Sequence, residues 1–465
     1  MSLLGEIRNP HSKVFRRCLI KRRESDTGLF ESAWLDISDD VKKWGSYKVA
    51  IDSQYPNRFS FSNATLVFAN DEGRYNPETE EPSLWYGYLS QQRTLVRIEA
   101  GFVSETLSAS GIWDRDEVPN ETQWDVDDWD EDSSEWDTDG ALFTGIISGD
   151  ISLSNKNEVS FTVKPLTQVF LDYAARNLTG WTSTGMTASQ FITMLRDQTD
   201  SLGNYVFRPF FGNTTTGWDI STTSNVFTTL NTSTAVGIID SNVWDVIQKL
   251  AEAENFVPYV TRNGTFKFVS REENSDQIAF QFHGSGSFDT TYGTTIKSID
   301  RFGKRLTKYY SRVEVKWREE DTSTSYEVAQ SALEVSPQNN PWNLGERTLK
   351  VENIYIPTAT VAATIALDLF NEYSSLKNEI LFSTSFIPTL EILDRVSISY
   401  DSPATSRNTL WDQNDWAADT TSTSTDLFWE LPTGDAISLL DAEFKFLSID
   451  VNLDRLETKF EAREI

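Results

Sequence analysis

Leu95-Val-Arg-Ile-Glu-Ala100, followed after a long acidic stretch by Leu142-Phe-Thr-Gly-Ile-Ile147, is the passage that decides the fold. The first segment alternates apolar and polar side chains, the pattern of a strand with one face on a core and one in water. Between the two segments the chain is punctuated by Trp113-Asp114, Trp124-Asp125, Trp129-Asp130 and Trp136-Asp137. The construction returns near the C-terminus. Asp394-Arg-Val-Ser-Ile-Ser-Tyr400 runs into a stretch holding Trp411-Asp412, Trp416 and Trp429, after which Phe444-Lys-Phe-Leu-Ser-Ile-Asp450 and Leu456-Glu-Thr-Lys-Phe-Glu-Ala462 read as strands. Two strand, Trp/Asp loop, strand units in one chain predict a duplicated barrel, and three such chains would supply six barrels to a ring.

Outward from the first unit, Val14 to Ile20, Tyr47 to Ile51, Arg58 to Phe68 and Val159 to Val163 also read as strands, with turn residues at Asn70-Asp71-Glu72-Gly73 and Asn76-Pro77. The texture then changes. Thr187-Ala-Ser-Gln190 has capping-box spacing ahead of a helical stripe of Phe191, Met194 and Leu195. Residues 203–235, rich in Thr, Ser, Gly and Asn, are expected as strands and loops on the surface. A second helix is predicted from Ser241, with Val243, Ile247, Leu250 and Ala251 on one face, and Arg262-Asn263-Gly264 then marks a hairpin between two strands. Ser311 to Trp317, Tyr326 to Gln330 and Arg347 to Ile356 read as strands, and Val361, Ile365, Leu369 and Tyr373 mark a helix from about Thr358 to Leu376.

The bulk composition narrows the function classes. The chain has 465 residues, enough for several domains, and carries 41 basic against 70 acidic residues, a formal charge of −29. Such a balance argues against a protein that grips nucleic-acid phosphates. Residues 113 to 139 alone hold thirteen carboxylates and a single Arg115. Cys18 is the only cysteine, which excludes an internal disulfide and every multi-cysteine metal site. No segment has the apolar length of a signal peptide core or a membrane span, so the expectation is a protein made in the cytoplasm without membrane contact.

Enzyme chemistry finds little support. Only His11 and His283 are present as candidate bases, Cys18 lies in a basic strand-like run, and His283-Gly-Ser-Gly-Ser287 reads as a turn. No catalytic residue, cofactor site or metal site is assigned. Asp125 to Asp132 has the alternate carboxylates that suit calcium, but Ser133 stands where the EF-hand needs its glycine if Asp128 is first, which favours a solvated acidic loop. The tryptophans are costly to leave in water, so they either pack on their own barrel or dock against a partner. Trp113, Trp124, Trp129, Trp136, Trp411 and Trp416 are the candidate partner-interface residues. Trp faces flanked by carboxylates also hold sugar rings, which leaves a carbohydrate-binding or receptor-binding β-protein as the alternative.

Three segments carry a family resemblance: Phe59 to Pro77 with Ser83-Leu-Trp-Tyr-Gly87 and Thr94 to Ile98, Val243 to Glu254 leading to Asn263 to Phe268, and Leu393 to Ile398 with Phe444 to Ile465. In this order they resemble the tail hub, or baseplate hub, proteins of tailed bacteriophages. The resemblance implies a homotrimer whose two tube-like barrels per chain make a pseudo-six-fold ring. It implies as partners the tail tube or distal tail protein and the spike or fibre proteins, with DNA passing through the lumen without specific binding. It also implies a place in the virion tail after assembly in the host bacterial cytoplasm. The expected fold is mainly β with minor α: two tube-like antiparallel β-barrels flanking an α+β middle region. The expected divisions are a first barrel over 1–175 with an acidic insertion at about 104–140, an α+β domain over 176–300, a connecting strand-and-helix domain over 301–380, and a second barrel unit over 381–465 with an insertion at about 401–435.

Overall fold

The computed structural model describes residues 13–24, 27–51, 59–75, 94–103, 141–147, 152–155, 157–179, 185–212, 217–227, 241–271, 278–284, 295–304, 309–318, 326–331, 347–353, 355–401 and 438–465. The N-terminal part supplies β1 (Lys13–Arg22), β2 (Leu35–Asp36), β3 (Val41–Lys43), β4 (Ser46–Ile51), β5 (Phe59–Phe61), β6 (Ala64–Ala69), β7 (Thr94–Val103), β8 (Ala141–Ile147), β9 (Ser152–Asn155) and β10 (Glu158–Pro165). Eight of them make one antiparallel sheet in the order β2-β1-β7-β8-β10-β6-β3, with β9 also on β10. β10 shows why these residues form strands: Val159, Phe161 and Val163 are buried while the alternate side chains are not. The sheet curls strongly. Its end strands β2 and β3 are separated in the chain by little more than the tight turn Ser38–Asp40, whose Ser38 Oγ accepts from Cys18 N at 2.8 Å.

A second curled sheet is built from β16 (Ile278–His283), β17 (Ile296–Lys304), β21 (Asn378–Ser385), β22 (Arg395–Asp401), β23 (Ser438–Asn452) and β24 (Glu457–Glu464), in the order β16-β22-β23-β24-β21-β17, with β4 also on β23 and β5 on β4. Its outer strands approach each other at one end: Thr295 N donates to His283 O at 2.8 Å, and His283 N to Thr295 Oγ1 at 2.9 Å.

The two sheets repeat one topology. In chain order the first contributes β1, β3, β6, β7, β8 and β10, the second β16, β17, β21, β22, β23 and β24, and in both the spatial order is first, fourth, fifth, sixth, third, second. Both also bring a phenylalanine of the third strand against one of the sixth, Phe68 with Phe161 at 4.8 Å and Phe382 with Phe460 at 5.4 Å between ring centroids. One pairing differs: β1 runs antiparallel to β7, whereas β16 runs parallel to β22. The fold is mainly β, with two curled half-barrel sheets and a smaller α+β region between them.

That region contains α1 (Gln168–Asp172), β11 (Met186–Thr187), α2 (Ala188–Arg196), α3 (Arg208–Phe211), β12 (Trp218–Ile220), β13 (Val226–Phe227), α4 (Val243–Glu254), β14 (Phe256–Val260) and β15 (Phe266–Ser270). The capping box at Thr187 and Gln190 is formed, and α4 begins where Asn242 caps Asp245 N at 2.8 Å. β18 (Arg312–Arg318), β19 (Tyr326–Ser331), β20 (Thr348–Glu352) and α5 (Ala359–Tyr373) follow; β18 pairs with both other strands, and α5 shares an apolar core with β18, β20, α2 and α4.

Three features depart from the sequence reading. The strands β4 and β5 fall within the span expected to form the first barrel, yet β4 pairs with β23, with Val49 opposite Ile449 and Tyr47 opposite Val451. β16, which lies within the span 176–300 expected for the middle region, and β17, which begins in it, belong to the second sheet. Alternation reveals a strand and its buried face but not which sheet the strand joins. Finally, the expectation of surface elements over 203–235 is corrected where it can be seen: Phe207, Phe210, Phe211, Trp218 and Phe227 are buried, with Phe207, Phe211 and Trp218 against Phe170, Phe210 against Phe30 and Phe227 against Tyr355, because aromatic side chains scattered in a polar segment still seek the core.

Candidate assembly interface

The topological equivalence of the sheets places the two Trp/Asp stretches. Each joins the fourth strand of its unit to the fifth, residues 104–140 between β7 and β8 and residues 402–437 between β22 and β23. Trp113, Trp124, Trp129, Trp136, Trp411 and Trp416 themselves lie outside the described residues, as does His11.

Beside the β4–β23 pairing, two contacts among the described residues join the units. At the first, the chain leaves β3 and enters β4 through Trp44 and Gly45. The Asp454 carboxylate accepts from Trp44 N at 2.9 Å and Gly45 N at 3.2 Å, Gly45 O accepts from Leu453 N at 3.0 Å, and Arg16 donates to Leu453 O at 2.9 Å. Gly45 has φ +65°, and a Cβ there would lie 2.4 Å from Thr65 O, so the crossover requires glycine.

The second contact is the tip of the β14–β15 hairpin. Gly264 N donates to Thr261 O at 2.9 Å and Thr261 N to Thr265 O at 2.8 Å. Only Gly264 of the Asn-Gly pair takes a positive φ, +89°, the geometry of a three-residue loop rather than of the tighter two-residue turn. Thr144 Oγ1 of the first unit donates to Arg262 O at 2.7 Å, while the Arg262 side chain donates to Pro388 O and lies 3.6 Å from the Glu391 carboxylate of the second. Beneath the tip is a mostly apolar cavity of about 60 Å³, lined among others by Tyr47, Phe143, Tyr259, Ile387 and Ile449. Asp394 sits at the end of the Glu391 turn, its carboxylate accepting from Glu391 N at 2.7 Å. Burial, with the Glu391 charge adding to it, pushes the Asp394 pKa up to about 6.

A charged cluster ties the middle region to the second sheet. Glu372, near the end of α5, is ion-paired to Arg271 and lies 3.7 Å from Arg463, which also donates to Glu372 O at 3.1 Å. Lys445 donates to Arg271 O at 3.1 Å. Burial opposes the Glu372 charge, but Arg271 and Arg463 outweigh it and hold the carboxyl below its usual range. Across the rest of this face, acids and bases alternate: Lys459 with Asp300 at 3.4 Å, Arg301 with Glu461 at 3.0 Å, and Arg395 with Glu443. The described part of the face is therefore charge-matched rather than enriched in carboxylates.

Cys18 and His283 are both buried. Cys18 is fully buried in the first sheet, and that burial, with Asp36 adding to it, pushes its thiol far above the usual range. His283 is buried at the end of β16, with its backbone in the contact to Thr295. Among the described residues no three His, Cys, Asp or Glu side chains converge as a metal site, and no helix is long and apolar enough to cross a membrane. Sequence reasoning missed Asp454, Arg262 and Glu372, whose roles depend on partners far away in the chain. Gly45 had a local signal, a glycine just ahead of the strand-like run Tyr47 to Ile51.

No family model and no curated protein matches the chain. Solved structures do resemble it over almost its whole length. It is similar to a tail protein from Neisseria meningitidis MC58, at 11% identity and TM-score 0.47 with 96% of each chain covered. It is similar to the prophage tail protein gp18 from Listeria monocytogenes EGD-e, at 10% identity and TM-score 0.46 with 96% of this chain and 94% of that one covered. It is also similar to the 43 kDa tail protein of prophage MuSo2 from Shewanella oneidensis, at 10% identity and TM-score 0.44 with 96% and 98% covered.

Proposed function

We propose that this chain is a structural, non-enzymatic component of a bacteriophage tail tip or baseplate: a hub that joins the tail tube to the spike or fibre complex. The observation that carries the reading is the repetition of one six-strand order in two curled sheets of a single chain. A chain with two equivalent units can contribute twice to a ring, so a homotrimer offers six equivalent positions to a six-fold tube while keeping three-fold symmetry for the fibre side. The ring would leave a lumen for DNA. The general acidity of the chain, −29 overall, suits a channel that does not hold phosphates.

The Trp/Asp stretches are the docking elements in this reading. They lie at equivalent positions of the two units, and indoles buried against a neighbour contribute strongly to an interface while the surrounding carboxylates keep the free subunit soluble. The test is particle assembly by a phage carrying Trp124→Ala, Trp129→Ala and Trp136→Ala together. The expected subunit melts like the parent yet enters tails poorly, with a smaller defect for Trp411→Ala with Trp416→Ala. Normal incorporation of the triple variant, or its failure to fold, contradicts the docking role. Complete tails joined to their fibres in particles lacking the chain altogether contradict the hub role.

A further inference from the structure

The fifth strand shows where one unit receives a strand from outside itself. In the second unit this strand is β23, 15 residues long, and its final residues Ser448–Asn452 pair on one side with β24 and on the other with β4, which belongs in sequence to the first unit. In the first unit the same path is covered by β8 and β9 in succession, from Ala141 to Asn155, leading into β10 as β23 leads into β24. Counted from the first residue of each path, β9 is the counterpart of the stretch that binds β4. Among the described residues β9 pairs with β10 alone. One unit thus has the receiving edge filled by its neighbour within the chain, and in the other no strand among the described residues fills it.

We propose that the outer edge of β9, Ser152–Asn155, is a strand-docking site for the second unit of another copy of this chain. In a ring of alternating first and second units, every second-unit edge is filled from within its own chain. Every first-unit edge then faces the second unit of the adjacent chain. Equivalence of the units argues for the same kind of contact at both places, backbone N–H and C=O groups closing a ladder across the boundary. The second copy is the occupant because the filled edge is itself an established contact between a first and a second unit, and the ring repeats that contact between chains. This rests on the ring reading above.

Hydrogen exchange followed by mass spectrometry, on the isolated chain and on the chain in assembled tails, tests the proposal. The peptide covering 152–155 is expected to exchange at least tenfold more slowly in the assembly, while the peptide covering 448–452 is slow in both states. Adjacent residues of a strand point their amides to opposite sides, so of Leu153→Pro and Ser154→Pro one removes only the outward donor. The variant that keeps the parent melting temperature is expected to lose at least tenfold in incorporation into tails. A three-fold ring in which 152–155 exchanges as fast as in the free chain, or in which both proline variants assemble normally, overturns the edge proposal and leaves the ring standing. A chain that forms no ring in tails overturns both.

Discussion

Gly45 shows how one residue couples the two units. Its positive φ lets the chain turn from β3 into β4, and its missing side chain lets it lie against Thr65 O. Gly45→Val is expected to destabilise the protein by roughly 2–4 kcal/mol in urea unfolding, from backbone strain and the clash together. Asp394 is a residue whose charge works against the fold. Its pKa is raised from 3.8 to about 6, so the folded state favours the protonated form. The sign follows from linkage: the contribution to stability is present below the unfolded pKa and is lost as pH rises through about 6. Asp394→Asn keeps an acceptor for Glu391 N, and is expected to raise the melting temperature at pH 7.5 and to flatten its dependence between pH 4 and 6.5. A variant less stable than the parent at pH 7.5 would show that the Asp394 charge is compensated in the fold.

Among the elements, the α5 end and β24 are tied by the Glu372 cluster. The Glu372 side chain keeps 24% of its exposure, which screens part of the interaction, while Arg463 keeps only 9%. Glu372→Gln should therefore cost about 2 kcal/mol, less than the loss of a fully buried pair, as read by denaturant midpoint. The elements were also the scale at which the sequence was most legible. The capping box at Thr187, the helices at 243–254 and 359–373 and the hairpin at Arg262 to Gly264 all depend on residues near one another in the chain, and all are formed. The pairing of β4 with β23 joins residues some four hundred positions apart, and nothing in the alternation of Tyr47, Val49 and Ile51 distinguishes the second sheet from the first. For the same reason the recurrence of the Trp/Asp stretches was visible in composition, whereas the ion pairs and crossover contacts that join the units were not.

At the scale of the molecule, the two curled sheets are locked by the β3–β4 crossover and the hairpin tip, and the α+β region is clamped to the second sheet by a charged cluster. The parallel strand β16 is one break in the repetition, and it lets the second unit differ from the first at its outer strand while the other five strands keep their arrangement. A chain so built has one use for its duplication that a single barrel lacks, the meeting of six-fold and three-fold symmetry in one ring. Electron microscopy of the chain in assembled tail tips, averaged without imposed symmetry, tests this most directly. The expected image is a three-fold ring of six barrel lobes around an open lumen wide enough for duplex DNA. A solid trimer, or a ring in which the two units of each chain occupy unrelated positions, would contradict the account.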